Sequence, residues 1–279
     1  MNQVHDPAAV KVRQAATVML VDDRPDLQVL MLRRDRATVF AGGMWVFPGG
    51  AVDPADDAVS SLQGPDKQEA AGILDLERGA LAHYIAAIRE CFEEAGVLLA
   101  CHAEGGKLSD ADCELATNRR RLIKGETRFQ DFLAEAGLLA DTSSLHYVAR
   151  WITPQGPPRR FDARFFVARM PAGQVPEHDN LETTGSVWMS PAEILEREAC
   201  GEMKLMSVTN RMVRCLAQFD SAGAVLQAAT ARLPDERVRV NPVDGGILLP
   251  GEPGYDQARV DVETGWVRLR PPANGIPGS

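Results

Sequence analysis

The segment 77–99 constrains the fold of this chain more than any other. Apolar side chains recur there at three- and four-residue steps, the spacing that puts them on one face of an α-helix. The residues in this stripe are Leu81, Tyr84, Ile85, Ile88, Cys91, Phe92 and Ala95. Gly96 stands where such a helix would end in the left-handed conformation. The pattern predicts a helix with one buried face, which needs an apolar layer to pack against.

Three carboxylates lie away from this stripe. Glu90, Glu93 and Glu94 are spaced i, i+3 and i+4, so a helix places them on one face, toward solvent or a cleft. Carboxylates this close repel one another, and Mg²⁺, which prefers oxygen ligands, would remove the repulsion. Arg89, four residues before Glu93, could hold that carboxylate in place. Taken alone, a solvated acidic helix face is the commoner explanation of such a pattern.

The remaining sequence alternates short strands with helices. Strands are predicted at 15–21, 27–33, 145–152, 161–169 and 186–189, the first two joined in a hairpin. Helices are predicted near 109–124, 127–138, 191–199 and 207–231. Short alternating runs follow at 237–270, and residues 51–76 are loop-like or weakly helical. An α+β fold is therefore expected.

The composition narrows the classes of function. The chain of 279 residues has a net charge of −9, which argues against a broad surface for nucleic acid or anionic membrane. Its five cysteines have no metal-ligand spacing, so reduced thiols are expected. We see no signal-peptide start, apolar run of about 18 residues or peroxisomal address, and we expect a cytoplasmic protein. The oligomeric state stays open.

A second segment changes the interpretation of the three glutamates. Phe47-Pro48-Gly49-Gly50 precedes the helix segment 89–97, which reads RECFEEAGV. Together the two segments resemble the signature of the Nudix hydrolases, in the correct order. The resemblance implies an αβα sandwich around a mixed β-sheet and metal-dependent hydrolysis of nucleoside diphosphates linked to another group.

The same resemblance implies a ligand set for the metal. The carboxylates of Glu90, Glu93 and Glu94, with the backbone carbonyl of Gly49, would bind Mg²⁺ or Mn²⁺. Glu182 occupies the region where many Nudix enzymes have a further metal-binding or base glutamate. A carboxylate of a surface loop is an equally good explanation of Glu182.

The chain departs from the signature in two places. The family separates the glycine from the arginine by 14 positions, whereas Gly50 lies 39 before Arg89, so about 25 residues are inserted. The first glutamate of the signature falls eight positions before the arginine, where this chain has Leu81. We therefore expect a core of three carboxylates.

A signature divided in this way resembles one branch of the family, the coenzyme A diphosphatases of peroxisomes and their bacterial relatives. Four segments resemble that branch in order, namely 46–57, 86–99, 150–166 and 182–191. A shorter coenzyme A-associated pattern is partly present, in Arg34, Gly43, Phe47, Gly49, Gly50 and Asp53. Its serine, leucine and histidine are replaced by Asp35, Thr38 and Ala41.

Four residues are predicted to bind the substrate. Arg34 and Phe47 are implied by the coenzyme A-associated pattern. Arg160 and Arg164, with Arg159 beside them, lie around a predicted strand start and could bind phosphates. A basic surface cluster paired with nearby acids explains these arginines equally well.

The sequence thus predicts a magnesium-dependent hydrolase of coenzyme A or acyl-coenzyme A, giving 3′,5′-ADP and (acyl-)4′-phosphopantetheine. Arg89, Glu93, Glu94 and Glu182 are the predicted catalytic residues, and the choice of base among the carboxylates stays open. One alternative is a Nudix hydrolase of ADP-ribose, dinucleotides or another nucleoside diphosphate derivative. The other alternative is a non-catalytic module that senses a nucleotide.

The predicted domain organisation has two parts. A Nudix hydrolase domain spans residues 1–200, with helical insertions at about 51–80 and 101–144. A C-terminal extension over 201–279, of helix and short strands, is expected to pack on the same domain.

Overall fold

A computed structural model describes residues 10–38, 41–106, 108, 114–241, 243, 245–260 and 265–271. Its strands are β1 (Val12–Asp23), β2 (Leu27–Arg34), β3 (Trp45–Val46), β4 (Gly49–Ala51), β5 (Leu62–Gln63), β6 (Ala100–His102), β7 (Leu138–Asp141), β8 (His146–Ile152), β9 (Arg160–Arg169), β10 (Thr183–Met189), β11 (Glu236–Arg237), β12 (Arg239–Val240), β13 (Ile247–Leu248), β14 (Arg259–Val260) and β15 (Gly265–Val267). Its α-helices are α1 (Lys67–Leu74), α2 (Ala80–Ala95), α3 (Leu115–Ile123), α4 (Phe129–Glu135), α5 (Pro191–Ala199), α6 (Ser207–Leu216) and α7 (Ala222–Thr230).

A mixed β-sheet forms the centre of the molecule. Its order is β10-β2-β1-β9-β8-β15-β11, with β3 paired to β2 and β4 paired to β1. β1 and β9 run parallel over ten residue pairs, whereas the other pairs of this sheet are antiparallel. Two small three-stranded sheets flank it, β5-β7-β6 and β13-β12-β14.

Both faces of the central sheet are covered. Along β1, Ala16, Val18 and Leu20 belong to the apolar core that contains α2, whereas Met19 and Val21 belong to the core formed with α5, α6 and α7. Side chains of a strand alternate between the two faces, so one strand serves both cores. The αβα sandwich predicted from the sequence is confirmed.

The central sheet opens between β1 and β2. These strands pair through residues 21–23 of β1 and 27–29 of β2. Farther from that turn, β4 pairs with residues 15–17 of β1, and β3 pairs with the end of β2. The β3–β4 segment therefore occupies the gap that opens where the hairpin strands diverge.

Most predicted elements lie close to their expected positions. The helix predicted over 77–99 is α2, and Gly96 follows it with a φ of 70°. The pattern at 207–231 is two helices, not one, because Ser221 is an N-cap whose side chain accepts a hydrogen bond from Ala224 N and starts α7. The helix predicted near 109–124 is seen as α3, and residues 109–113 lie outside the described part.

The segment after residue 200 adds to the same sheet. β15 pairs with β8 through Gly265↔Trp151, and α7 packs against β8 and β9. Among the described residues, no helix combines the length and apolarity needed to cross a bilayer. The four cysteines within the described part are free thiols.

A buried ion pair lies under α2. The guanidinium of Arg164 is fully buried, and its Nη1 donates to Asp162 Oδ1 at 2.5 Å. Arg150 donates to both oxygens of the same carboxylate, at 2.9 and 2.8 Å. Burial by itself would raise the pKa of Asp162, but the hydrogen bonds and positive charges of the two arginines outweigh it and lower that pKa.

Removing this carboxylate should destabilise the fold. Asp162→Ala leaves Arg164 buried without its counter-charge, and we expect the free energy of unfolding to fall by about 3–5 kcal/mol in urea denaturation. Asp131→Ala is the control, because Asp131 pairs with Arg128 on the surface and its loss should barely move the midpoint. A change of under about 1 kcal/mol for Asp162→Ala would contradict the assignment.

Candidate active site

The last turns of α2 meet the turn between β3 and β4. The backbone N–H of Gly49 donates to Glu94 Oε2 at 3.0 Å. A Cβ placed on Gly50 would lie 2.5 Å from the carboxyl carbon of Glu90, so a larger residue there would displace that carboxylate. The two glycines of the FPGG segment thus allow the helix carboxylates to approach the strand backbone.

Arg34, at the end of β2, lies between two acids. Its Nη1 is 3.8 Å from Glu94 Oε1, and its Nη2 is 3.6 Å from Glu182 Oε2 at the start of β10. The Nε of Arg34 is buried and has no hydrogen-bond partner within the described part of the chain. Two residues that lie far apart in the sequence, Arg34 and Glu182, are therefore brought beside the glutamates of α2.

Arg89 holds the other side of the glutamate cluster. Its Nη1 donates to Glu90 Oε1 at 2.7 Å and to Glu93 Oε2 at 3.4 Å. Its Nε and Nη2 donate to the two carboxylate oxygens of Asp56 at 2.8 and 3.0 Å. Burial alone would lower the pKa of Arg89, but the hydrogen bond to Asp56 and the surrounding acids raise it. Asp56 itself is only 2% exposed.

Asp56 also corrects the alignment of the signature. The family pattern puts its first glutamate six positions after the glycine, and Asp56 is six positions after Gly50. Counting back from Arg89 gave Leu81 instead, which lies in the apolar core of α2. The inserted residues therefore fall after Asp56, and the carboxylate that seemed to be lost is present as an aspartate.

Three residues donate hydrogen bonds to the C-terminal end of α2. Arg119 donates to the carbonyl of Glu93 through Nε and Nη2, at 3.1 and 2.9 Å. The hydroxyl of Thr183 donates to Glu94 O at 3.4 Å, and Glu177 N donates to Ala95 O at 2.9 Å. Carbonyls at a helix end have no partner within the helix, so these contacts fix the turn that carries the glutamates.

The pKa values of the three helix glutamates are all raised. Burial, the largest cause, raises the pKa of Glu93 to about 7, against the lowering effect of Arg89. Burial also raises the pKa of Glu90, and it raises that of Glu94 well above its ordinary value, with the neighbouring Glu90 adding to the effect. Burial, with a smaller effect of the neighbouring carboxylates, thus disfavours the charged form of all three groups.

The donor atoms suit a hard divalent cation, although they do not yet converge on one point. All three helix side chains offer carboxylate oxygens, the ligands that Mg²⁺ and Mn²⁺ prefer. Within the described part of the chain, no group of three or more His, Cys, Asp or Glu is arranged to hold a metal ion. The reason is visible in the contacts, because Glu90 is turned to Arg89 and Glu94 to Gly49 N.

A cavity of about 610 Å³ opens beside these residues. The predicted site residues Arg34, Phe47, Gly49, Glu90, Glu94 and Glu182 line it. Glu93 is not one of the lining residues; its side chain is 25% exposed and contacts Arg89. The structure thus collects around one cavity most of the residues that the sequence singled out.

Two predicted substrate ligands are not part of that cavity. Arg164 is fully buried beneath α2 and paired with Asp162, and Arg160 is buried with its Nε donating to Thr153 O at 3.0 Å. Alternation along β9 explains the result, because Phe161, Ala163 and Phe165 face the cavity whereas Asp162 and Arg164 face α2. The neighbouring Arg159 lines the cavity instead.

Sequence reasoning missed several residues of this cavity. Arg13 on β1, Trp151 on β8 and residues 206–209 at the start of α6 all line it. No local motif marks these positions. The strand predicted at 15–21 begins at Val12 in the structure, and this earlier start places Arg13 on the same face as Ala15 and Thr17.

The raised pKa values predict how the stability of the fold depends on pH when no metal is bound. A carboxyl group whose pKa is higher in the folded state stabilises the fold at low pH, and this contribution is lost as the pH rises from about 4.5 to the folded value. For Glu93 that window ends at about 7. With a chelator present, Glu93→Gln should therefore gain more in melting temperature over the wild type at pH 8 than at pH 5. Glu135→Gln, at an exposed position on α4, should show no such trend, and a pH-independent gain for Glu93→Gln would refute the assignment.

Comparisons with known proteins agree with this geometry. A family model, the NUDT19 Nudix domain, matches residues 65–207, just over half of the chain. The acyl-coenzyme A diphosphatase NUDT19 of Gallus gallus is 28% identical over 306 aligned positions, which cover 88% of this chain and 80% of that protein. The protein of the same name from Homo sapiens is 29% identical, with coverage of 89% and 82%.

A solved structure supports the same conclusion. The crystal structure of a NUDIX hydrolase from Alicyclobacillus acidocaldarius superposes with a TM-score of 0.66 at 26% identity, covering 78% of this chain and 97% of that one. The family model spans the helix that carries the three glutamates, and the αβα fold is shared. The chain therefore belongs to the Nudix hydrolase family, with a match to the NUDT19 Nudix domain.

Proposed function

We propose that this protein hydrolyses the diphosphate linkage of coenzyme A or acyl-coenzyme A, with Mg²⁺ or Mn²⁺ as cofactor and in the cytoplasm. The observation that carries the proposal is the cluster of Glu90, Glu93 and Glu94 beside Arg34, at the edge of a cavity large enough for a small molecule. The substrate is proposed from two relatives, which are similar along 88% and 89% of this chain and are named acyl-coenzyme A diphosphatase.

Each residue of the site would have its own role when water attacks a phosphorus atom of the substrate. Arg34 already contacts Glu94 and Glu182, and its buried Nε has no partner among the described residues, so its guanidinium would donate to a phosphate oxygen. One carboxylate, from α2 or from Glu182, would accept the proton of the attacking water.

Glu90, Glu93 and Glu94 would hold the divalent cation, with the carbonyl of Gly49 as a further ligand. A bound cation would neutralise charge on the diphosphate oxygens as the bond to the leaving group breaks. Arg89 would act as a positioning residue, since it contacts Glu90 and Glu93 and is itself fixed by Asp56. The excess of acids over arginines in the cluster supports a cation at this place.

Isosteric variants test the roles of the carboxylates. Glu93→Gln and Glu94→Gln keep the shape of the side chains but remove the charge and the proton acceptor, and we expect kcat to fall by about 10²–10⁴-fold at saturating Mg²⁺. Glu182→Gln should cause a loss of that size only if Glu182 is the base. Glu135→Gln is the matched control and should retain full activity. Undiminished magnesium-dependent turnover by Glu93→Gln on every diphosphate tested would contradict the mechanism.

A substrate panel tests the proposed substrate. Coenzyme A, acyl-coenzyme A, ADP-ribose and a dinucleotide should be compared by kcat/KM with Mg²⁺ and with Mn²⁺. We expect the coenzyme A compounds to be preferred and mass spectrometry to show 3′,5′-ADP and (acyl-)4′-phosphopantetheine. Isotopically labelled water would mark the phosphorus that is attacked. A preference for ADP-ribose would overturn the substrate and leave the hydrolase, whereas binding without product would favour a nucleotide-sensing module.

A further inference from the structure

The cavity extends from the glutamates across the sheet as an apolar groove. One row of paired residues, Ala51–Ala15–Ala163–Trp151, crosses four adjacent strands from β4 to β8. Each of these residues lines the cavity. Adjacent strands are about 4.8 Å apart, so the row leads about 14 Å away from the Gly49–Gly50 turn. Three consecutive alanines leave a trough there, and the indole of Trp151 closes its far end.

Apolar side chains also stand beside and over the row, although Thr17, Ser207 and Thr209 line the same cavity. Phe161 and Phe165 of β9 stand on either side of Ala163 on the same face of the sheet. Met206 and Val208, at the start of α6, and Ile247 of β13 also line the cavity. These three residues belong to the segment after residue 200, and Val208 and Ile247 lie beyond the region matched by the family model.

Charge is confined to the two margins of the cavity. Glu90, Glu94, Glu182 and Arg34 lie at the β4 end, and the cationic residues Arg13 and Arg159 lie beside the groove, near the start of β9. The four side chains of the row itself carry no charge, and Arg13, two residues from Ala15 on the same face of β1, borders the row. A phosphate placed on the alanines would lose hydration and would find its cationic partners only at the margin, whereas an uncharged linear chain would gain by leaving water.

We propose that this groove is the binding subsite for the uncharged arm of the substrate, the pantetheine chain with its acyl group. Ala15 and Ala163 would set the width available to that arm, and Val208 would cover it. The inference rests on the proposed function, because it presumes that the diphosphate lies at the glutamates. It assigns the nucleotide half, with its additional phosphate, to the charged margins of the cavity and not to the alanine row.

The two products of the reaction test this division separately. Octanoyl-4′-phosphopantetheine contains the arm, and 3′,5′-ADP contains the nucleotide half, so calorimetric binding of each measures one half of the site without catalysis. Ala163→Leu fills the trough. We expect it to weaken binding of octanoyl-4′-phosphopantetheine at least tenfold and binding of 3′,5′-ADP less than twofold. Ala134→Leu, at an exposed position on α4, is the matched control and should change neither.

A second variant covers the case in which Ala163→Leu fails to fold. Val208→Ser makes the half-buried roof polar at the start of α6, and Val243→Ser makes the same change at a position that is 91% exposed. In the wild type each buried methylene of the acyl chain should strengthen binding about fourfold. Val208→Ser should reduce that increment, and Val243→Ser should leave it unchanged.

The outcomes separate the subsite from the function. Suppose that the wild type hydrolyses coenzyme A, but that Ala163→Leu and Val208→Ser weaken the binding of both products equally or change the binding of neither product. The groove is then not the arm subsite, and the proposed function stands. If the wild type neither hydrolyses coenzyme A nor binds either product, the proposed function itself is wrong, and the subsite falls with it.

Discussion

The close contact between the end of α2 and the Gly49–Gly50 turn is the constraint on which the rest of the site depends. Glu90 can lie against the backbone of Gly50 because that residue has no side chain, and Glu94 accepts a hydrogen bond from Gly49 N. The turn reaches this place because β1 and β2 diverge and β4 pairs with β1 inside the gap. A break in the central sheet thus lets carboxylates from one helical layer reach a cavity that opens on the other face.

Burying several acids together requires positive charge, and two arginines supply part of it. Arg89 joins Glu90 and Glu93 to Asp56, and Arg34 lies between Glu94 and Glu182. Burial outweighs this compensation, and the pKa values of the three α2 glutamates remain raised. Folding has already removed water from these carboxylates. A cation that binds them therefore gains their attraction without a further cost of desolvating them.

The cavity combines segments that lie far apart in the chain. Its floor comes from β1, β9 and β8, its acidic end from α2 and from Glu182 just before β10, and part of its roof from α6 and β13. The pairing of β15 with β8 ties the last described segment to the same sheet, which explains how residues after 200 come to lie over the groove. The segment therefore adds both to the fold and to the surface that a substrate would meet.

Local patterns in the sequence determined α2, its three glutamates and its end at Gly96, because helical spacing and a left-handed glycine act over a few residues. They also identified the family, because segments 47–50 and 89–97 keep the order of the Nudix signature although an insertion separates them. Only the tertiary structure decided the partner of Arg89, since Asp56 is 33 residues away and an insertion of that length hides the alignment. It likewise decided that Arg159 and not Arg164 faces the cavity, because strand register sets which side chains share a face and register depends on residues distant in the chain.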